Sequence, residues 1–137
     1  MPVIDNIDLI ASKRANHGSG LWSIEGLYIV RFTSVEVDED HPWFETIQIW
    51  DKDNLPDRDD RLALSRTDSF KPDGRSSLNR RLAVQIPESE LRSSSGGEED
   101  LELYVRVVLS DGAHPGSPAI TRDNRGAPLG VGLYHAF

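Results

Sequence analysis

The chain has 137 residues, a length that suits one domain, and 37% of them are hydrophobic, which is enough to form a core. It has no cysteine, which excludes disulfides and thiolate chemistry, and its net charge of −8 argues against sequence-independent binding to nucleic acid. No apolar run approaches the roughly 18 residues of a membrane span. Residues 1–20 lack the features of a secretory signal, so we expect a soluble protein, either cytoplasmic or exported by a non-classical route.

Strand-forming segments recur along the chain between turn-forming residues. Residues 1–20 contain the apolar piece Val3–Ile10 and end in a loop composition, which predicts an edge strand or an arm packed on the core; we assign them as an N-terminal arm. The β-branched and aromatic run Leu27–Phe32 predicts a strand that Val35 and Val37 extend.

The rest of the chain continues this alternation of strands and turns. Leu101–Leu109 has the cleanest alternation of apolar and polar residues, which predicts a half-buried strand. Residues 112–137 are rich in glycine and proline, which predicts a loop-rich C-terminal segment. We expect further strands at Thr46–Trp50, Arg61–Leu64, Leu82–Ile86 and Val131–Phe137, a turn at Lys71–Gly74, one helical turn at Glu88–Leu91 and a flexible connector at Ser93–Gly97.

These elements predict an all-β fold. Short strands separated by Gly, Pro and Asp turns are typical of an antiparallel sandwich, with a small β-barrel as the alternative. Roughly six to eight strands fit, and a single core of that kind uses the whole chain. We therefore expect one β-sandwich domain over residues 1–137.

The negative charge is concentrated in one part of the chain. Residues 36–60 hold ten acidic and two basic side chains, so this acidic window carries the whole net charge of −8. Ca²⁺ takes about six to eight oxygen ligands, and carboxylates crowded in one loop repel each other until a cation binds. The sequence therefore predicts a Ca²⁺ site whose ligands come from five acids that follow the strand Thr46–Trp50: Asp51, Asp53, Asp57, Asp59 and Asp60.

The spacing of these acids resembles a known pattern. The aromatic Trp50 is followed by Asp51 and Asp53, and then by Asp59 six residues after Asp53. This loop resembles that of the calcium- and phospholipid-binding β-sandwich family typified by synaptotagmin. The resemblance implies that Asp51, Asp53 and Asp59 ligate calcium, that Asp60 completes an acidic pair, and that anionic lipid is a partner.

Other interpretations of the acidic residues remain open. Asp, Asn and Pro are standard turn formers, so the segment could be a solvated loop. It could also be an acidic face that contacts a basic partner protein without metal. A second acidic segment, Asp38–Asp40, could supply further ligands, and the sequence does not decide whether it shares a site with Asp51–Asp60.

We expect a binding module and not an enzyme, because the sequence has no nucleophile motif, phosphate loop or dinucleotide fingerprint. The cation would have a structural role or would bridge to a protein, a glycan or anionic lipid. The flanking Trp43 and Phe44 would either meet a membrane surface or seal the core.

The basic residues and the histidines are two further sets of candidate site residues. The basic cluster Arg75, Arg80 and Arg81 could hold an anion or pair with the acidic window. The four histidines have no spacing typical of metal ligands, so we predict no zinc site from His17, His41, His114 and His135.

Overall fold

In a computed structural model, residues 1–14, 20–53, 58–95 and 100–132 are described, and they form two antiparallel sheets. The elements are β1 (Val3–Arg14), β2 (Leu21–Arg31), α1 (Ser34–Glu39), β3 (Trp43–Asp51), β4 (Asp60–Arg66), β5 (Ser77–Pro87), α2 (Glu88–Ser95), β6 (Asp100–Asp111), β7 (Ile120–Asp123) and β8 (Leu129–Gly132). Strands β1, β2 and β5 form sheet A, in the order β1-β2-β5. Strands β4, β3, β6 and β7 form sheet B in that order, and β8 also pairs with β6.

The predicted all-β sandwich is confirmed, and the barrel alternative is wrong, because the strands form two separate sheets of three and five strands. Alternate residues of the long strands point between the sheets and form one core. From β2 these are Ile24, Gly26, Tyr28 and Val30, and from β6 they are Leu101, Leu103, Val105, Val107 and Leu109. Neither helix in the described ranges is long and apolar enough to cross a membrane.

Most predicted strands are present, and several are longer than the sequence indicated. Leu27–Phe32 lies within β2, Thr46–Trp50 within β3, and Arg61–Leu64 within β4. The turn at Lys71–Gly74 is confirmed, since the N–H of Arg75 donates to the carbonyl of Pro72 at 3.1 Å.

The first segment of the chain belongs to the sandwich. Of the two forms expected for residues 1–20, the structure shows the edge strand, because β1 pairs with β2 from Val3 to Arg14. The pairing register shifts between Asp5 and Asp8, where Asn6 has a φ of 50°. This shift is a β-bulge, a common feature of edge strands.

Val35 and Val37 do not extend a strand, so that prediction is wrong. Both lie in α1, which begins after a capping box: Thr33 Oγ1 accepts the N–H of Glu36, and Glu36 Oε1 accepts the N–H of Thr33. These bonds satisfy two backbone donors at the start of the helix, and this outweighs the β-preference of valine.

The chain after β5 also differs from expectation. The predicted helical turn at Glu88–Leu91 continues to Ser95, so Ser93–Ser95 of the expected flexible connector are helical. Gly96 and Gly97 of that connector lie outside the described residues. In the C-terminal segment, β8 (Leu129–Gly132) includes the first two residues of the predicted strand Val131–Phe137. The sequence did not predict β7. Residues 133–137 of the expected last strand lie outside the described residues.

Candidate functional site

The acidic cluster of the sequence lies where β3 ends and β4 begins. Asp51 and Asp60 are register partners across the β3–β4 ladder, so their side chains leave the same face of sheet B. Asp53 follows two residues after Asp51 and is exposed, and the half-buried Asp59 precedes Asp60. Four of the five predicted ligands therefore lie at one end of the sandwich, while Asp57 falls outside the described residues.

Asp59 is already bound to an arginine. Its Oδ2 accepts from Nε of Arg125 at 2.7 Å and from the hydroxyl of Tyr104 at 2.6 Å. Its Oδ1 accepts from the N–H of Asp53 at 2.7 Å and from Nη2 of Arg125 at 3.2 Å. A metal ion that ligated Asp59 would have to displace the guanidinium of Arg125, which already supplies a positive charge to this carboxylate.

The hydrogen bond from Arg125 keeps the pKa of Asp59 below the ordinary 3.8 despite its burial, and bonds from Tyr104 and from the Asp53 N–H act the same way. The burial of Tyr104 and its bond to this carboxylate raise the phenol's pKa to about 12. Asp59 is therefore a charged, fully bonded group that ties β4 to β6 and to the segment after β7.

We expect Asp59→Asn to destabilise the protein at neutral pH, with a difference that shrinks on acidification. The Asp59 carboxyl takes up its proton near pH 3.8 when unfolded but only at lower pH when folded, so its stabilisation is present above that range. It is lost as the pH falls through 3.8 toward the folded pKa. Urea unfolding of both proteins between pH 7 and pH 3 measures this, and a difference that does not change with pH would contradict it.

The pKa of the neighbouring Asp51 is shifted in the opposite direction, above its ordinary value. Burial of the carboxyl is the largest cause, and the charges of Asp60, Asp53 and Asp59 raise the pKa further. A hydrogen bond from Ser94 partly offsets these effects. The hydroxyl of Ser94 in α2 donates to Oδ2 of Asp51 at 2.6 Å. The negative charge around Asp51 is thus only partly neutralised by the chain itself.

An open groove of about 450 Å³ lies beside this cluster. Asp60, Glu90, Ser93 and Ser94 provide oxygen atoms along it, and Arg61 is the basic residue of its lining. Side-chain oxygens from both β4 and α2 therefore face the same solvent-filled space as Asp60.

The two acidic segments of the sequence lie apart. Asp38–Asp40 precedes β3, and Asp51–Asp60 follows it, so they lie at opposite ends of a nine-residue strand. At roughly 3.4 Å per residue the two ends are about 27 Å apart. One cation cannot bind both segments, which answers the question that the sequence left open.

A second polar cluster, which the sequence did not predict, lies at the other end of β3. It consists of His41 before β3, Asp111 at the end of β6, and His114 in the following loop. One ligand atom from each lies within 4.8 Å of the others, the only such group of three His, Cys, Asp or Glu residues in the described ranges. A cavity of about 310 Å³, also lined by Trp43 and Ile120, opens beside them.

The close approach of two backbone segments assembles this His/Asp cluster. Trp43 pairs with Asp111 in the β3–β6 ladder, and the N–H of Gly112 donates to the carbonyl of Pro42 at 2.8 Å. A Cβ at Gly112 would lie 2.7 Å from that carbonyl oxygen, so only glycine allows this contact. Histidines 73 positions apart are thereby brought together.

Two residues of the basic cluster and one of the two flanking aromatic residues have structural partners. Arg80 pairs with the buried Glu45, and Arg81 with Glu25, so two members of the basic cluster bind acids of this chain. Trp43 is buried in the core, whereas Phe44 is 49% exposed.

Comparisons with known proteins give only distant structural similarity. No protein-family model and no curated protein matches the sequence. Among solved structures, a protein from Archaeoglobus fulgidus is similar, with a TM-score of 0.47 and 15% identity over 86% of this chain and 94% of that one. The X-ray structure of Northeast Structural Genomics Consortium target SoR45 has a TM-score of 0.46 and 6% identity, over 98% of this chain and 92% of that one. Similarity at this level says nothing about function.

Proposed function

We propose that this β-sandwich is a calcium-binding module in which Ca²⁺ joins the end of β3 to the start of β4. The observation that supports it is the pairing of Asp51 with Asp60 across the ladder. Like charges directly opposite each other destabilise a strand pair. Burial is the main cause of the raised pKa of Asp51, and the charges of Asp60 and Asp53 raise it further, so part of this repulsion is not relieved by the chain. A bound divalent cation would relieve it.

The contacts of Asp59 remove it from the set of proposed calcium ligands. Because Arg125 and Tyr104 occupy its oxygens, the proposed carboxylate ligands are Asp51, Asp53 and Asp60. Water and neighbouring backbone carbonyls would complete a shell of about six to eight oxygens. With so few carboxylates, a dissociation constant near 10⁻³ M is expected, as in extracellular calcium modules.

We propose that the cation has a mainly structural role. β4 is an edge strand of sheet B and pairs only with β3 among the described strands. A cation held by Asp51 and Asp60 would fix the end of this strand pair. Its remaining coordination positions would face the groove, where a protein, a glycan or an anionic lipid could complete them.

Calcium is expected to raise the melting temperature of the protein. With a dissociation constant near 1 mM, 10 mM Ca²⁺ should raise it by about 5 °C through mass action. The Asp60→Asn variant should lose this shift, because it removes an exposed proposed ligand and keeps the size of the side chain. Thermal unfolding with Ca²⁺ and with chelator measures both effects.

The control variant is Asp38→Asn, since Asp38 is an exposed acid at the opposite end of β3. It should keep the full Ca²⁺ shift. No shift in the wild type at 10 mM Ca²⁺, or equal shifts in wild type and Asp60→Asn, would refute the proposal. Mg²⁺ at the same concentration distinguishes specific coordination from general screening of charge.

The second candidate function is metal-independent binding of a basic partner protein. The contact of Arg125 with Asp59 favours it, because it shows that this cluster accepts a guanidinium group. An arginine-rich peptide should then bind in the presence of chelator and lose affinity as salt increases. Asp60→Asn should weaken that binding, and Asp38→Asn should not.

A further inference from the structure

We propose that His41, Asp111 and His114 form a binding site for a zinc-class divalent cation, separate from the proposed calcium site. Two imidazoles and one carboxylate are the ligand types that Zn²⁺ and related transition metals prefer, whereas Ca²⁺ prefers oxygen alone. The argument rests on the position of His41, on the hydrogen bonds that hold Asp111 and on the cavity beside them.

The ring of His41 is oriented by a carboxylate. Its Nδ1 lies 3.4 Å from Oε2 of Glu39, so a carboxylate faces the ring nitrogen that is turned away from Asp111. Metal-binding histidines commonly have such a carboxylate at the nitrogen that does not bind the metal. Glu39 is therefore a positioning residue in this proposal.

The other nitrogen of His41 faces Asp111 without a hydrogen bond. Nε2 is buried, lies 3.2 Å from Oδ1 of Asp111, and has no hydrogen-bond partner among the described residues. A buried imidazole nitrogen and a carboxylate oxygen at this distance suit two ligands that share a cation.

The distance between these atoms also fits metal coordination. Zinc bonds of about 2.0–2.1 Å in a tetrahedral arrangement place neighbouring ligand atoms about 3.3 Å apart. The 3.2 Å between His41 Nε2 and Asp111 Oδ1 matches this separation. Nδ1 of His114 lies 3.0 Å from Oδ2 of Asp111. The His114 side chain is 64% exposed, so its ring can turn to direct a nitrogen at the same cation.

Asp111 is held in place by hydrogen bonds. Its Oδ1 accepts the N–H groups of Ala113 at 2.9 Å and of His114 at 3.2 Å. Its Oδ2 lies 3.0 Å from Nδ1 of the His114 ring. The carboxylate is thus fixed in orientation before a metal binds.

The three ligands leave one coordination position open. The cavity of about 310 Å³ beside them has apolar walls from Trp43, Pro118 and Ile120 and a hydroxyl from Ser117. Three protein ligands with an open position differ from a closed structural zinc site, which has four. Water, or a small ligand with an oxygen or nitrogen donor, would fill the fourth position.

The test is a titration of chelator-treated, full-length protein with Zn²⁺ at pH 7.5, followed by calorimetry and thermal unfolding. We expect one equivalent to bind at micromolar Zn²⁺ and to raise the melting temperature. His114→Ala removes an exposed ligand with little risk to folding and should weaken binding at least 100-fold. Glu39→Gln should weaken it 10- to 100-fold, the effect typical of a lost orienting partner.

Controls separate this site from other metal-binding groups. The double variant His17→Ala/His135→Ala keeps the proposed ligands and should bind Zn²⁺ as the wild type does. Zn²⁺ should shift the imidazole NMR signals of both His41 and His114, and 1 mM Ca²⁺ should not shift them. Absence of binding at 100 µM Zn²⁺, or binding that survives His114→Ala but not the double variant, would overturn the proposal.

Discussion

Replacing Arg80 by methionine is expected to lower the free energy of unfolding by about 3–5 kcal/mol. Its partner Glu45 is fully buried between the sheets, and the guanidinium donates from Nη2 to Oε1 at 2.9 Å and from Nε to Oε2 at 3.0 Å. The hydroxyl of Tyr28 also donates to Oε2. Without Arg80, the core would hold a carboxylate that lacks its positive partner. Urea unfolding at pH 7 measures the loss.

The matched control is Arg81→Met, at the next position of the same strand. Arg81 is 62% exposed and pairs with Glu25 on the outer face of sheet A, so its loss should change stability by less than about 1 kcal/mol. Adding Glu45→Gln to Arg80→Met should restore part of the stability, because it removes the unpaired charge. Similar losses for Arg80→Met and Arg81→Met would show that the buried pair contributes no more than a surface pair.

Gly26→Val is expected to destabilise the protein by about 1–3 kcal/mol through overpacking. Gly26 lies on the inward face of β2, where an added Cβ would be 2.9 Å from Cγ2 of Val105 and 3.0 Å from Cγ2 of Ile47. Both neighbours belong to sheet B, so the missing side chain is what allows the two sheets to approach here. The sandwich would have to separate locally to accept a larger residue.

A suitable control is Gly130→Val in β8, where an added Cβ would meet nothing within 4 Å. There the β-branched side chain should be neutral or slightly stabilising, because valine favours strands. Urea unfolding of both variants gives the comparison. Equal effects at the two positions would contradict the overpacking argument.

The strands could be predicted from the sequence because their signal is local. Alternation of apolar and polar residues is sufficient to identify β6, and a Pro-Asp-Gly turn marks the segment before β5. The capping box of α1 is also visible in the sequence as Thr33-Ser34-Val35-Glu36. The β-preference of Val35 and Val37 predicted a strand there instead, so the capping residues are the local signal for this helix.

The sequence could not predict that the acidic residues of the window lie in different environments and do not form one surface. Its members have three different environments, since Glu45 is buried against Arg80, Asp59 is bound by Arg125, and Asp51 and Asp60 face each other at the strand end. Arg80 and Arg125 lie 35 and 66 positions from their partners. Charge counted along the chain does not reveal such pairings, which depend on which strands are neighbours.

The His/Asp cluster was missed for the same reason. A search by spacing finds histidines on one helix or strand, whereas His41 and His114 meet only because β3 pairs with β6. The partial signal in the sequence was the position of each histidine: His41 lies just before one predicted strand, and His114 just after another. Antiparallel pairing of those two strands would place both at the same end.

The β3–β6 pair is also a rigid spacer between the two proposed cation sites. Asp51 lies at one end of this pair and Asp111 at the other, about 27 Å apart. That separation is about three Debye lengths at physiological salt, so ions at the two ends would not sense each other's charge. Their stabilising effects should therefore add without cooperativity, and the protein would respond to a hard and a softer metal as two independent inputs.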